Sequence, residues 1–140
     1  MGEIFELEIN DIQPSQLFVS EQKLKNVYKW LNKDINSYDP IPVKDLNGKT
    51  VFTDGHTRSF ALYKLGAKKV KVYWDKDELD WEAYQICVNW CLKEGITNIT
   101  HLESRILNDD QYRLMWHERC RKMQAKVRKR KSQGSLNKPS

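Results

Sequence analysis

Asp54, Gly55, His56, Thr57 and Arg58 crowd a carboxylate, an imidazole, a hydroxyl and a guanidinium around one glycine. Before them lies Thr50-Val51-Phe52-Thr53, β-branched and aromatic. After them comes Ser59-Phe60-Ala61-Leu62-Tyr63-Lys64-Leu65, which stops at Gly66. The pattern reads as a strand, a tight polar turn and a helix. The first amides of a helix have no intrahelical acceptor, and the helix dipole favours negative charge beside them. An anion, most simply a phosphate, suits this junction. Arg58 adds a planar fork able to hold phosphate oxygens in two places. Asp54 offers a carboxylate for a metal ion or a hydroxyl, and His56 a ring that titrates near neutrality. Each residue also has a plainer use: Gly55 for a positive φ, Asp54 or Thr57 as a cap, His56 as a structural side chain. Their concentration at one strand–helix junction is what favours a ligand site.

The frame that must hold this junction is of ordinary composition. At 140 residues, 39% apolar and 31% charged, the chain is long enough to bury one core without staples. No run reaches the length of a transmembrane helix, and Glu3, Glu6 and Glu8 stand where a secretory signal would be basic and then apolar. Cys87, Cys91 and Cys120 are odd in number and not spaced as a disulfide framework, so free thiols in a reducing cytoplasm are expected, with no membrane partner. The net charge of +5 is unevenly spread. Residues 1–117 hold 15 Lys/Arg against 18 Asp/Glu, and residues 118–140 hold 9 against one. A mildly acidic body with a basic tail argues against a body that reads DNA across a folded face.

Ile4–Ile9 alternates apolar and polar and is expected to be a half-buried strand, with Gln16–Val19 a second extended piece after Pro14. Ser20 is a good N-cap for a helix carrying Leu24, Val27, Tyr28 and Leu31. Pro40 and Pro42 exclude helix, so Ile41–Leu46 is expected as a strand, Asn47-Gly48 as a hairpin turn and Lys49–Thr53 as its return. Val70–Trp74 reads as the last strand. From Asp80 the pattern turns helical: one helix to Gly95, a short one through Ile99, Leu102 and Ile106, and a long one from Asp109 into Lys131. The fold class is therefore α+β: a small α/β unit over residues 1–76, then a helical extension over 77–131 packed on it in the same domain. Residues 132–140, rich in Ser, Gly, Lys and Pro, are expected to be a disordered tail.

Residues from about Glu8 to Trp74 resemble the ParB/sulfiredoxin-like superfamily. The resemblance rests on Ile12-Gln13-Pro14-Ser15-Gln16-Leu17, Pro40-Ile41-Pro42-Val43, Thr53-Asp54-Gly55-His56-Thr57-Arg58-Ser59-Phe60-Ala61-Leu62, and Leu65-Gly66 before a strand. It implies a small mixed sheet with short helices. Sulfiredoxins, ATP-dependent reductases of oxidised cysteine, carry Gly-Cys-His-Arg at the loop. This chain has His56 and Thr57 there and lacks their thiol. Chromosome-partitioning ParB proteins bind CTP at a Gly-Glu-Arg-Arg loop. His56 replaces the Glu, and the stretch after Trp74 is short for their later domains. The free serine kinases carry Asp-Gly-His-His-Arg, which Asp54, Gly55, His56 and Arg58 match and Thr57 does not. That resemblance implies ATP or another nucleotide with its phosphates on Gly55, His56, Thr57, Arg58 and Ser59, and Mg²⁺ near Asp54. It implies a phosphotransferase acting on a small hydroxyl-bearing substrate, with Asp54 and His56 in the catalytic set and Glu21 as the base. A DNA-associated module of partition or nuclease type, or a non-catalytic nucleotide sensor, are the alternatives.

Other groupings have competing readings. Cys87, Cys91, His117 and Cys120 contain zinc-type ligands, yet their helical spacing suits core packing better. Trp81, Tyr84, Trp90 and Trp116 are expected to form the seam that docks the extension, rather than a platform for bases. Arg128, Lys129, Arg130 and Lys131 are candidate nucleic-acid contacts, or else the solvated end of a helix.

Overall fold

The computed structural model describes residues 3–137. Strand β1 (Ile4–Glu8) alternates exposed and half-buried positions, as its period demands. A short turn follows, and β2 (Val19–Ser20) leads into helix α1 (Glu21–Leu31). Ser20 caps that helix, its hydroxyl accepting from the Lys23 amide at 3.2 Å. Strands β3 (Ile41–Leu46) and β4 (Lys49–Phe52) form an antiparallel hairpin. Asn47 and Gly48 both take positive φ, 53° and 83°, which the hairpin turn requires and this residue pair tolerates. Helix α2 (His56–Lys64) follows, and β5 (Lys69–Trp74) completes a four-stranded sheet in the order β1-β5-β3-β4. The β5 strand runs parallel to β3 and antiparallel to β1, so the sheet is mixed.

The helical extension begins with α3 (Trp81–Lys93), capped by Asp80 through the Ala83 amide. A single 3₁₀ turn at Ile99–Leu102 follows. Ile106 is not helical: with Leu107 it forms β6, paired parallel to β2. The periodicity that suggests a helix through Ile106 is overridden by that non-local pairing, anchored by the Val19 amide on the Arg105 carbonyl at 3.0 Å, and β5 is thus not the last strand. Asn108 then caps a continuous rod. It comprises α4 (Asp109–Tyr112), a π-helical turn at Arg113–His117, and α5 (Glu118–Asn137). The α5 helix extends past Lys131, where composition places the start of a disordered tail; residues 138–140 of that tail lie outside the described residues.

One core joins the two parts of the chain. Ile12, Leu17, Val19, Ile41, Val43, Phe52, Phe60 and Val72 from the α/β unit are fully buried together with Cys91, Ile99 and Leu102 from the extension. Trp116 meets Trp90 edge to face at 6.1 Å within the extension itself, whereas Tyr84 and Trp81 reach the α/β unit, the one through its hydroxyl on the Thr53 carbonyl and the other under the Lys44 ammonium. None of the helices described is long and apolar enough to cross a membrane.

Candidate functional site

The junction after β4 starts from a fixed point. The Thr53 amide donates to the Pro42 carbonyl at 3.1 Å, its hydroxyl donates to buried Asp75 at 2.7 Å, and its carbonyl accepts from the Tyr84 hydroxyl at 2.9 Å. Burial, with the Asp54 and Asp75 carboxylates nearby, pushes the Tyr84 phenol up, so it remains a donor at neutral pH. Asp54 then projects into solvent, one carboxylate oxygen accepting from the Gly55 amide at 2.8 Å. Gly55 has φ +77°, and a Cβ there would stand 2.9 Å from both Ile41 Cγ2 and Arg58 Nη2. Only glycine fits this position. Gly55→Ala should therefore cost on the order of 2–4 kcal/mol and displace the guanidinium. An unchanged urea midpoint for that variant would contradict the tight fit.

Helix α2 starts at His56 with no side-chain cap. The amides of His56, Thr57 and Arg58 make no hydrogen bond among the described residues, while the Ser59 amide, the first with an i−4 partner, bonds the Gly55 carbonyl at 2.9 Å. Asp54, Gly55, His56, Thr57 and Arg58 line one side of a cleft of about 380 Å³. Its opposite wall is one face of α1, Lys23, Asn26, Val27 and Trp30, and Gln16 and Tyr112 close it. Gln16 donates to the Tyr112 hydroxyl at 2.8 Å, and burial pushes that phenol up to about 12. Arg58 also lines the cleft, one guanidinium nitrogen donating to the Asp39 carbonyl at 3.1 Å.

Asp54, Gly55, His56, Thr57 and Arg58 are brought together as expected, but three expected roles change. His56 is 5% exposed and its Nε2 accepts from the Ser15 amide at 2.9 Å, with its ring edge on Phe52. Burial drives its pKa down to about 4, against the smaller opposite pull of Asp54. A neutral ring with its acceptor nitrogen engaged is a brace between Ser15 and α2 rather than a proton carrier. Ser59 is fully buried, outside the cleft lining, and its Oγ has no partner among the described residues. It offers the cleft neither hydroxyl nor amide. Glu21 is exposed, ion-paired with Lys25 at 3.1 Å, and does not line the cleft. At about 100° per residue it lies nearly opposite Lys23 on α1.

Sequence reasoning missed Lys23, Asn26 and Trp30. Their spacing with Val27 is i, i+3, i+4, i+7, a helical stripe that was readable but overshadowed by the core stripe of Leu24, Val27, Tyr28 and Leu31. Tyr112 and Asp75 carried no local signal.

For Mg²⁺, the lining supplies one carboxylate, Asp54, and no group of three His, Cys, Asp or Glu among the described residues could hold a metal. That donor set fits an ion shared with phosphate oxygens and water, the usual way Mg²⁺ is held, rather than one caged by protein alone. Among the cysteines, Cys87 and Cys120 meet across α3 and α5. Their thiols interact, which pushes Cys87 up and draws Cys120 down. Cys91 is buried, and burial pushes it up to about 12. In the basic segment, Arg128 and Lys129 are exposed, whereas Arg130 pairs with Glu82 at 2.8 Å and Lys131 with Asp80 at 3.4 Å.

No family model matches the chain, and no curated protein matches it. Among solved structures it is similar to protein Atu1540 from Agrobacterium tumefaciens, with 18% identity and a TM-score of 0.50 over 73% of this chain and 62% of that one. Sulfiredoxin from Arabidopsis thaliana gives 21% identity and a TM-score of 0.47 over 62% of this chain and 98% of that one. The C-terminally truncated chromosome-partitioning protein ParB from Caulobacter crescentus, complexed with CTP-gamma-S, gives 18% and 0.46 over 66% and 54%. At such identities likeness concerns fold alone: the chain has an α+β fold built on a mixed four-stranded sheet, similar to that of protein Atu1540.

Proposed function

We propose that the cleft binds a nucleotide by its phosphates and passes a phosphoryl group to a small hydroxyl-bearing acceptor. The observation that carries this reading is the convergence of the α2 first-turn amides, Arg58 and Lys23 on one cleft, with Asp54 at the same turn. Phosphoryl transfer asks for positioning and charge neutralisation more than covalent participation, so the withdrawal of His56 and Glu21 does not remove its basis. The amides and Arg58 hold phosphate oxygens, and Lys23 faces them from α1. Asp54, with those oxygens, would hold Mg²⁺, which supplies neutralisation of the developing charge. Asn26 and the Gln16–Tyr112 pair are the polar groups available to orient an acceptor. The P–O bond to the donor breaks, one to the acceptor oxygen forms, and the acceptor proton leaves to water.

Calorimetric titration with ATP, ADP and CTP, each with Mg²⁺, tests binding, and phosphate release with and without serine as acceptor tests transfer. Binding with neither release nor transfer would favour a non-catalytic nucleotide sensor, the second reading, which the immobilised His56 supports. Absence of binding by all three nucleotides would end both. Glu21→Gln is expected to leave affinity and any turnover within about twofold of the parent, because its carboxylate points away from the cleft and is worth little as an exposed ion pair. A large loss of turnover in that variant would restore it as the base.

A further inference from the structure

We infer that the groove between α3 and α5 docks an acidic amphipathic segment of a partner protein, one with bulky apolar side chains along one face and carboxylates beside them. The groove encloses about 380 Å³ and shares no lining residue with the nucleotide cleft. Its floor and walls are apolar: Ile86 and Trp90 from α3, Met123 and Val127 from α5. Its rim is wholly basic, formed by Arg119, Lys122, Lys126 and Arg130, with no carboxylate among the lining residues. Arg130 is already neutralised by Glu82. Arg119, Lys122 and Lys126 make no ion pair among the described residues. These three recur at i, i+3 and i+7, so they stand on one face of α5 over about 10 Å. The rest of the body is mildly acidic, which makes this strip the place where an acidic partner gains most.

The chemistry of the walls selects among anionic partners. A nucleic acid would satisfy the cations but leave the apolar floor unfilled, and it would want a free aromatic face for a base. Trp90 does not offer one: the Arg119 guanidinium lies 4.1 Å from its ring centroid, and Trp116 meets it edge to face. An amphipathic helix laid in a groove uses both features, apolar anchors at i, i+3 or i+4 and i+7 entering between α3 and α5, and carboxylates meeting the rim. Met123, flexible and polarisable, suits a floor that must accept such anchors.

The test is fluorescence anisotropy on the whole chain without nucleotide. The probe is a labelled helical peptide of about 16 residues, with leucines on one face flanked by glutamates. The comparators are a peptide of the same composition with the leucines scattered, and duplex DNA. Saturable binding of the patterned peptide is expected. Lys122→Glu with Lys126→Glu should weaken it roughly tenfold or more, whereas Arg128→Glu with Lys129→Glu should change it by no more than about twofold. All four positions are exposed, so folding is not at stake. The inference is overturned by no binding, by equal binding of the scattered peptide, by equal losses in the two charge-reversed pairs, or by duplex DNA binding more tightly than the peptide.

Discussion

Arg58→Ala is expected to lower nucleotide affinity by roughly ten- to a hundredfold while leaving the unfolding transition nearly unchanged. The first half follows from what the guanidinium does at the cleft. One nitrogen is spent on the Asp39 carbonyl, which fixes the guanidinium among the cleft lining and leaves its remaining N–H groups to the phosphates proposed there. Hydrogen bonds to a charged group contribute about 1.5–3 kcal/mol, which converts to the stated range. The second half follows because Arg58 is only partly buried and leaves no unpaired buried charge when removed. Arg58→Lys should fall between, since the charge survives but the planar fork does not. Titration calorimetry with ATP and Mg²⁺ reads the affinity, and the midpoint of thermal unfolding reads the control. Parent-like affinity in Arg58→Ala would dismiss the phosphate-cradle assignment.

The second large effect is on stability and comes from His56. In the unfolded chain its ring takes up a proton near pH 6.5; in the folded chain burial holds this down to about 4. Between those values the unfolded state binds the additional proton, so stability must fall as pH falls. The loss starts near pH 6.5 and is complete below about 4, reaching on the order of 3 kcal/mol. The physical event is protonation of Nε2, which turns the acceptor of the Ser15 amide into a second donor facing it. The Glu103 and Glu118 carboxyls are also held low, by Lys64 and Arg121, but their transitions belong to lower pH than the upper part of this window. Urea denaturation at pH 7, 6 and 5 should show the decline in the parent. His56→Gln, which keeps an acceptor but does not titrate, should be nearly flat over that range. Parallel curves for the two proteins would show that His56 is not the titrating brace.

These results also show where reading residues in order succeeded. Alternation at Ile4–Glu8, the Asn47-Gly48 turn, the Ser20 and Asp80 caps and the Gly66 stop are all consequences of backbone sterics and hydrogen bonding within a few residues. The clustering of Asp54, Gly55, Thr57 and Arg58 was legible for the same reason, because one turn places them. The resemblance carried on Thr53–Leu62 and on Pro40–Val43 likewise anticipated the mixed sheet, since both segments flank the β3–β4–α2 connection. The π-helical turn at Arg113–His117 was not legible; it sets buried Tyr112 at the cleft and buried Trp116 against Trp90, while Leu114 and Met115 stay exposed.

What the amino-acid order settled by itself was thus the local framework: which stretches extend, which coil, where each stops, and that a polar glycine turn stands before α2. Tertiary structure alone decided that Lys23 rather than Glu21 faces that turn, that His56 is clamped by Ser15, that Asp75 and Tyr84 pin Thr53, and that Tyr112 reaches the cleft from far along the chain. The division has one cause. Turn chemistry and caps are enforced between near neighbours, whereas the burial that neutralises an imidazole or rotates one helix face toward a cleft exists only after distant segments have shared a core.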